Sequence, residues 1–383
     1  MDFVCKKDDL VFGVRLASYA LGTRSSMPIL SGLKMEIEGN QLRLYATDLE
    51  RAVRCAIPIE NQAANEAVVL NGSILSQIAA HLPEDERITL KTDAEDGTVV
   101  KLRCGETSFD LPTLAVEDYP EVPPLPSTKI AVLKIAHFHR GLEQTAFAAL
   151  KAGETTRLSL TSVDIVIEGD AAKLVSTNGY RLAMKTIGID EILEEGEYLI
   201  EASVLTDLDR VLSQLTSETV ELYKGDGQLF FQADDVTFMA RTLAEEFPDF
   251  DRVIPKDNSV ALIFDRRAFL DTLQRIEITA AEESGAITVR VTTDESAARI
   301  NSSSKDKGEA EERVRLKKVP SQGLDISFKA EYLIDALKRM ASAEIVLWLA
   351  SSEKAGLIEP HGEEISAQDK GFLYVCMPVR LSG

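Results

Sequence analysis

Histidine and cysteine are scarce in this 383-residue chain, four of each. There is no G-x-x-x-x-G-K-S/T phosphate loop, no G-x-G-x-x-G, no H-E-x-x-H and no G-x-S-x-G. Bases are outnumbered, 42 against 63 acids, giving a formal charge of −21. Such a surplus of acid keeps a protein soluble and opposes casual binding to nucleic acid. It does not exclude that binding, because contact depends on where the bases sit. No stretch approaches eighteen apolar residues, so no membrane-spanning helix is expected. The first residues, MDFVCKKDDL, lack the basic-then-apolar order of a secretory leader. Cys5, Cys55, Cys104 and Cys376 are scattered in or beside strand-like runs, the pattern of buried thiols in a cytoplasmic protein rather than of a disulfide framework. His137 and His139 form an H-x-H pair, but no third ligand has recognisable spacing. No metal, cofactor or catalytic residue is assigned, and the expectation is a binding or scaffolding protein, not an enzyme.

What the chain does have is repetition. A faint period of about sixty-five residues recurs six times, each unit running from a short strand into an amphipathic helix. The helical segments begin near Leu10, Ile74, Phe138, Val204, Phe269 and Tyr332. Paired, they give three domains: 1–126, 127–255 and 256–383. The first reads strand, helix (about Asp8 to Leu21), a hairpin of 33–37 with 41–46 turning at Gly39 and Asn40, a strand over 53–59, and a second helix from Ser73 to Leu82. Asn71 or Ser73 is the cap candidate of that helix, and Pro83 lies beyond its end. Another hairpin (88–91 with 98–104) and a strand carrying Phe109 and Leu111 precede the proline-rich run DYPEVPPLP. The other two thirds repeat the plan. Hairpins throughout argue for antiparallel sheet, and the fold class is α+β with two helices per domain packed on sheet.

Leu205, Leu208, Leu212 and Leu215 share one helical face, as do Leu333, Ala336, Leu337 and Met340. Arg210, Lys338 and Arg339 fall away from those stripes. Asn301 to Glu312, NSSSKDKGEAEE, reads as an exposed hairpin loop or mobile excursion. Asp48 in ATDLE and Asp249 in FPDF read as turn-ordering acids.

Several segments together resemble the bacterial DNA polymerase III beta subunit, the sliding clamp family. RSSMPILSGLKMEI (24–37) is similar to its R-x-x-x-PIL segment, ATDLE (46–50) to its next strand-to-turn signature, and STNGYRLA (176–183) to its T-x-G-x-RLA motif. EEFPDFDRVIP (245–255), AGLIEP (355–360) and YVCMPVRL (374–381) resemble the family's FPD-aromatic, P-x-L-I-x-P and MPMRL segments. The order is right and the matches span nearly the whole chain. The resemblance implies three tandem clamp domains and a head-to-tail dimeric ring that encircles double-stranded DNA without sequence specificity. It also implies short linear peptides as ligands, carried by the replicative polymerase alpha subunit, the clamp loader, other polymerases and repair proteins. The location would be cytoplasmic and nucleoid-associated.

Residue by residue, the peptide pocket would comprise Thr177, Gly179, Arg181, Leu182, Pro248, Arg252, Val253, Val375, Met377, Pro378, Val379 and Arg380. Methionine and valine would give an adaptable apolar floor, Gly179 close backbone approach, and Arg181 and Arg380 a frame for carbonyls and carboxylates. Asn178, Tyr180 and Val379 depart from the family's usual acid, histidine and methionine. Arg24, at a family arginine position, leads the DNA-facing candidates, followed by Arg210, Lys338, Arg339 and Lys151; Arg140 and Arg275 are weaker. Phe109 and Leu111 would meet Ile276 and Ile278 of a second copy at the ring interface. Rival readings are a DNA-independent solenoid-like scaffold, an enzyme with an unrecognised carboxylate pair, and a diverged clamp paralogue.

Overall fold

The computed structural model describes residues 1–22, 27–60, 66–84, 86–92, 97–282 and 284–380. Six α-helices stand among them: α1 (Lys7–Ser18), α2 (Gly72–His81), α3 (Ile135–Thr145), α4 (Ala202–Leu212), α5 (Arg266–Ile276) and α6 (Ala330–Lys338). Each follows a strand directly, as the repeat requires. α1 stops at Ser18, three residues short of the expected Leu21. Asn71 caps α2, its side chain accepting from the Ile74 N–H; Ser73 lies inside the helix. The apolar stripes are the buried faces: Leu205 and Leu208 of α4 and Leu333, Ala336 and Leu337 of α6 are 0% exposed.

The chain forms two compact units. The first contains residues 1–135, 190–194 and 204–242; the second contains 136–189, 195–203 and 243–383. The first is built on a thirteen-stranded sheet. Gly32–Glu38 and Gln41–Thr47 form the expected hairpin, with Gly39 in the left-handed region at φ +61°. α1 lies against this hairpin and its neighbour so closely that a Cβ at Gly13 would stand 2.3 Å from Leu44 Cδ1. Arg51–Pro58 continues the sheet by pairing antiparallel with Val236–Arg241, 178 residues or more away along the chain. We call this pairing the first junction.

The second unit holds an eight-stranded and a four-stranded sheet. Arg181–Gly188 pairs antiparallel with Phe372–Cys376, which we call the second junction. α3 lies on one face of the eight-stranded sheet, with Gly141 against Leu174. The largest core cluster of this unit gathers Phe264, Phe269, Phe328, Leu333 and Tyr374 between helices and sheet. The segment 301–312 is not a loop. Ala297–Ser304 and Gly308–Arg315 pair over eight positions and leave only residues 305–307 as the turn. Alternation drives this: Ala298, Ile300 and Ser302 point inward, 0%, 0% and 4% exposed, while polar residues take the other face.

Candidate functional site

Both junctions are fastened by the same turn. At the second, the Thr177 hydroxyl donates to the Arg181 carbonyl (2.7 Å) and accepts from the Gly179 N–H (3.1 Å). Asn178 Oδ1 accepts from the N–H groups of Tyr180 and Arg181, both at 3.0 Å. At the first, Thr47 Oγ1 donates to the Arg51 carbonyl (2.7 Å) and accepts from the Leu49 N–H (3.0 Å), and Asp48 Oδ1 accepts from Glu50 and Arg51 at 3.0 and 2.9 Å. These are Asx turns, in which a short side chain replaces a backbone acceptor. Asn supplies the same acceptor oxygen as Asp, so Asn178 at 7% exposure orders the turn and does not reach the rim. Gly179 has φ +87° and a Cβ there would meet nothing within 4 Å. Glycine adopts this conformation without strain. Leu49 adopts the same conformation at φ +78°.

The turn arginines are fastened alike. Arg181 Nη1 donates to Asp335 Oδ2 of α6 at 2.7 Å, and Arg51 pairs with Asp207 of α4, both aspartates being the sixth residue of their helices. Arg181 Nη2 also donates to the Phe147 carbonyl (2.7 Å), and its guanidinium carbon lies 4.5 Å from the Tyr332 ring centroid. At 9% exposure Arg181 is a buried strut. Arg380, the other arginine of the expected frame, is exposed.

Strand register then assembles an apolar row. Leu182 pairs with Val375, and Val375 with Leu357. These three, with Val175 and Ala355, form a cluster on the sheet face away from α3, partly covered by Phe247, Phe250, Ile254 and Trp348. Phe247 and Phe250 flank half-buried Pro248, so the FPDF segment packs against this cluster. Around it stand exposed groups: Tyr180 (66%), Val253 (44%), Met377 (39%) and Arg252, which pairs with Asp249. The Met377 N–H donates to the Tyr180 carbonyl (2.8 Å) and the Val379 N–H to the Ser327 carbonyl (2.8 Å), holding MPVR along the edge with half-buried Pro378 and Val379. Thr177, at 8% exposure, belongs to the turn.

The first junction reproduces the backbone and changes the side chains. The Arg241 N–H donates to the Glu50 carbonyl (2.8 Å), as Met377 does to Tyr180. Glu50 and Arg241 form an ion pair at 2.9 Å where the second junction has tyrosine and methionine. Tyr45 occupies the place of Val175, one row in, and Tyr119 covers it with its hydroxyl on the Tyr45 carbonyl at 3.0 Å. The matching row of the first junction, Ala52, Met239 and Phe230, is likewise apolar and buried, so the junctions differ at the Glu50–Arg241 edge and at Tyr45.

The basic candidates are dispersed. Arg24 lies outside the described residues. Lys151 and Lys338 are exposed, and Arg210, 59% exposed, pairs with Asp207. Arg339 is half-buried, 4.2 Å from the Phe147 ring centroid, with Nη1 on the Asp335 carbonyl at 2.8 Å. Arg140 is likewise engaged, with Asp369 and the Arg339 carbonyl, and Arg275 with Glu312. Ile276, 3% exposed, belongs to the core, whereas Ile278 is 69% exposed. Leu111 is buried and Phe109 half-buried on Thr107–Leu114. Among the described residues that strand pairs along one edge with Val99–Cys104, and on the other only through Thr113 and Leu114. Gly308–Arg315 is likewise paired along one edge only. Sequence reasoning missed this second open edge because its glutamates disguised a strand as a loop. Among the described residues no cluster of His, Cys, Asp and Glu could hold a metal ion, and no helix is long and apolar enough to cross a membrane.

Comparison with known proteins agrees along the whole chain. Residues 1–123 match the family profile of the DNA polymerase III beta subunit N-terminal domain, 132–249 that of the central domain and 251–380 that of the C-terminal domain. The beta sliding clamp of Synechocystis is 28% identical over 400 residues, spanning 100% of both chains. That of Staphylococcus aureus is 25% identical over 375 residues, 96% of this chain and 98% of the relative. The solved DNA polymerase sliding clamp from Bacillus subtilis superposes with a TM-score of 0.91 at 25% identity, covering 100% of both chains. With α+β architecture, six helices on antiparallel sheets and three successive profiles, the chain belongs to the DNA polymerase III beta subunit family.

Proposed function

We propose that this chain is a DNA polymerase processivity factor: a sliding clamp that closes around duplex DNA and tethers polymerases and other proteins by their short peptides. It has no catalytic role of its own. The observation that supports the reading is the buried apolar row Leu182–Val375–Leu357 with exposed Tyr180, Met377 and Val253 around it. A peptide with leucine and phenylalanine anchors suits such a floor, and Pro248, Arg252, Pro378, Val379 and Arg380 frame it. Three domains, 1–126, 127–255 and 256–383, each contribute two helices. Head-to-tail closure of two copies joins the open edge beside Phe109 to the open edge Gly308–Arg315 of the second copy. Sheet continues across such a contact, and unlike edges generate a closed ring. Lys101 and Arg103 sit on the strand next to the first edge, while Glu309 and Glu311 sit on the second with Arg313 and Arg315, so both edges carry charges that can set the register. Lys151, Arg210 and Lys338, with Arg24, supply phosphate attraction that is salt-dependent and blind to sequence. The protein is soluble and works at the nucleoid.

The test is retention on closed circular DNA before and after linearisation, with a compatible loader and ATP. Retention on the circle and loss at free ends is the expected result. Equal retention on both forms would mean ordinary surface binding and overturn the reading; no retention on either would leave a DNA-independent scaffold.

A further inference from the structure

A cavity of about 550 Å³ opens in the second unit, on the α3 side of the eight-stranded sheet, away from the apolar row. Its lining is rich in nitrogen-bearing side chains: His137, His139 and Arg140 from α3, Lys185 from the strand Arg181–Gly188, and Lys370 beside Gln368. Glu143 is the one acid lining it, and it pairs with Arg140 at 2.5 Å.

Lys185 is the anomaly. It pairs in register with Leu174 and Phe372, in a row that is otherwise apolar, and is 3% exposed. Its ammonium donates to the carbonyls of Gln368 (2.6 Å) and Lys370 (2.7 Å), and has no carboxylate in ion-pair contact. Nearby Asp369 is already spent. Its Oδ1 accepts from Arg140 and Gln144, and its Oδ2 from the N–H groups of Ala341 and Ser342. Burial pushes the Lys185 ammonium down to about 8, against the attraction of Asp369. A buried cation with no direct ion pair is costly, and an anion supplied from outside would offset that cost.

We infer that this cavity is a binding site for a phosphate-bearing anion, held by Lys185 and Lys370 with the two imidazoles. Carboxylate is the poorer fit. Carboxylate recognition favours a free, forked guanidinium, and the Arg140 guanidinium is committed to Glu143, Asp369 and the carbonyls of Gln368 and Arg339. Lysine and histidine are single-point donors that suit the several oxygens of a phosphate. A cavity of this volume admits more than a lone ion. The phosphate could belong to a free polyphosphate or nucleotide, or to a nucleic-acid backbone; the chemistry is shared.

The test is calorimetric titration of the full chain with inorganic pyrophosphate at pH 7 and low salt, comparing wild type with Lys185→Met and with the surface double variant His139→Ala/Lys370→Ala. Each variant removes charge-assisted hydrogen bonds and is expected to weaken binding about tenfold or more. Pyrophosphate should also raise the urea midpoint of wild type, and raise that of Lys185→Met less. No binding by wild type, or equal binding by all three proteins, overturns the proposal; the surface variant keeps the test valid if Lys185→Met does not fold. A duplex oligonucleotide added to the wild-type complex separates the sources. Displacement of pyrophosphate identifies backbone phosphate as the ligand, and retention identifies a free anion, either of which supports the site.

Discussion

Replacing Asp164 by asparagine should stabilise the second unit, by an amount that grows with pH. Asp164 sits in Ser162–Glu168, in a row with Val175, Met184 and Leu373 on one side and Leu199 on the other. It is 1% exposed, and its Oδ1 has no hydrogen-bond partner. Burial, with a smaller push from Glu197, raises its carboxyl from 3.8 to about 7. A raised acid is protonated in the folded chain where the unfolded chain has already lost its proton. Its effect on stability is therefore nil below pH 3.8, and stability is lost as pH rises through 7. Roughly three units correspond to about 4 kcal/mol at pH 8, of which about 2.5 kcal/mol develops between pH 5 and pH 8. Asparagine nearly keeps the volume and removes the titration. Trp348 is the only tryptophan of the chain and packs in the cluster on the same sheet face, so its fluorescence reports urea unfolding of this unit. The stability gap between Asp164→Asn and wild type should widen by that amount from pH 5 to pH 8. A gap that is flat across this range, or that narrows, would refute the reasoning.

Three further outcomes are expected. Asp335→Ala leaves Arg181 buried with its charge uncompensated and should cost about 3 kcal/mol. Asp207→Ala should cost only about 1 kcal/mol, since Arg51 is 18% exposed and keeps Asp48 at 2.9 Å; equal costs in denaturant unfolding would contradict this. All four cysteines are free and buried, with burial pushing Cys5, Cys55 and Cys376 up to about 12. A disulfide reagent at pH 8 should therefore leave the native thiols unreacted until urea unfolds the chain, and rapid native labelling would count against the fold. Finally, Tyr180→Glu with Met377→Arg installs the first junction's ion pair at the second, and should weaken peptide binding at least about tenfold with little change in melting temperature. Unchanged affinity would move the peptide site elsewhere.

The helices were legible because their apolar spacing is strict and each begins where a strand ends. The hairpins were legible where a glycine marked the turn, as at Gly39. The strand Gly308–Arg315 was not, because strand content there is set by pairing with Ala297–Ser304, and EAEER has no intrinsic strand preference. The two compact units also cut through the middle third of the sequence. No local signal marks this, because it arises from strands pairing at a distance: Arg51–Pro58 with Val236–Arg241, and Arg181–Gly188 with Phe372–Cys376. The pocket motif was legible as a motif, while the roles inside it were not. A string of letters does not show that Arg181 is buried against Asp335 or that Gly179 takes a positive φ. Asp164 and Lys185 were invisible, since each interrupts an apolar strand as any surface residue would.

The two junctions give the molecule a property that no mutant can supply: every copy carries its own control. The Thr47 and Thr177 turns, their arginines and their helix aspartates are the same device, set once beside the Glu50–Arg241 ion pair and once beside exposed Tyr180 and Met377. A solvent, temperature or salt effect on the device itself should register at both places. A ligand seated on the apolar row should register at one. Paired probes at Leu49 and Tyr180, read as a difference within single molecules, would therefore report occupancy with the drift of the scaffold already subtracted.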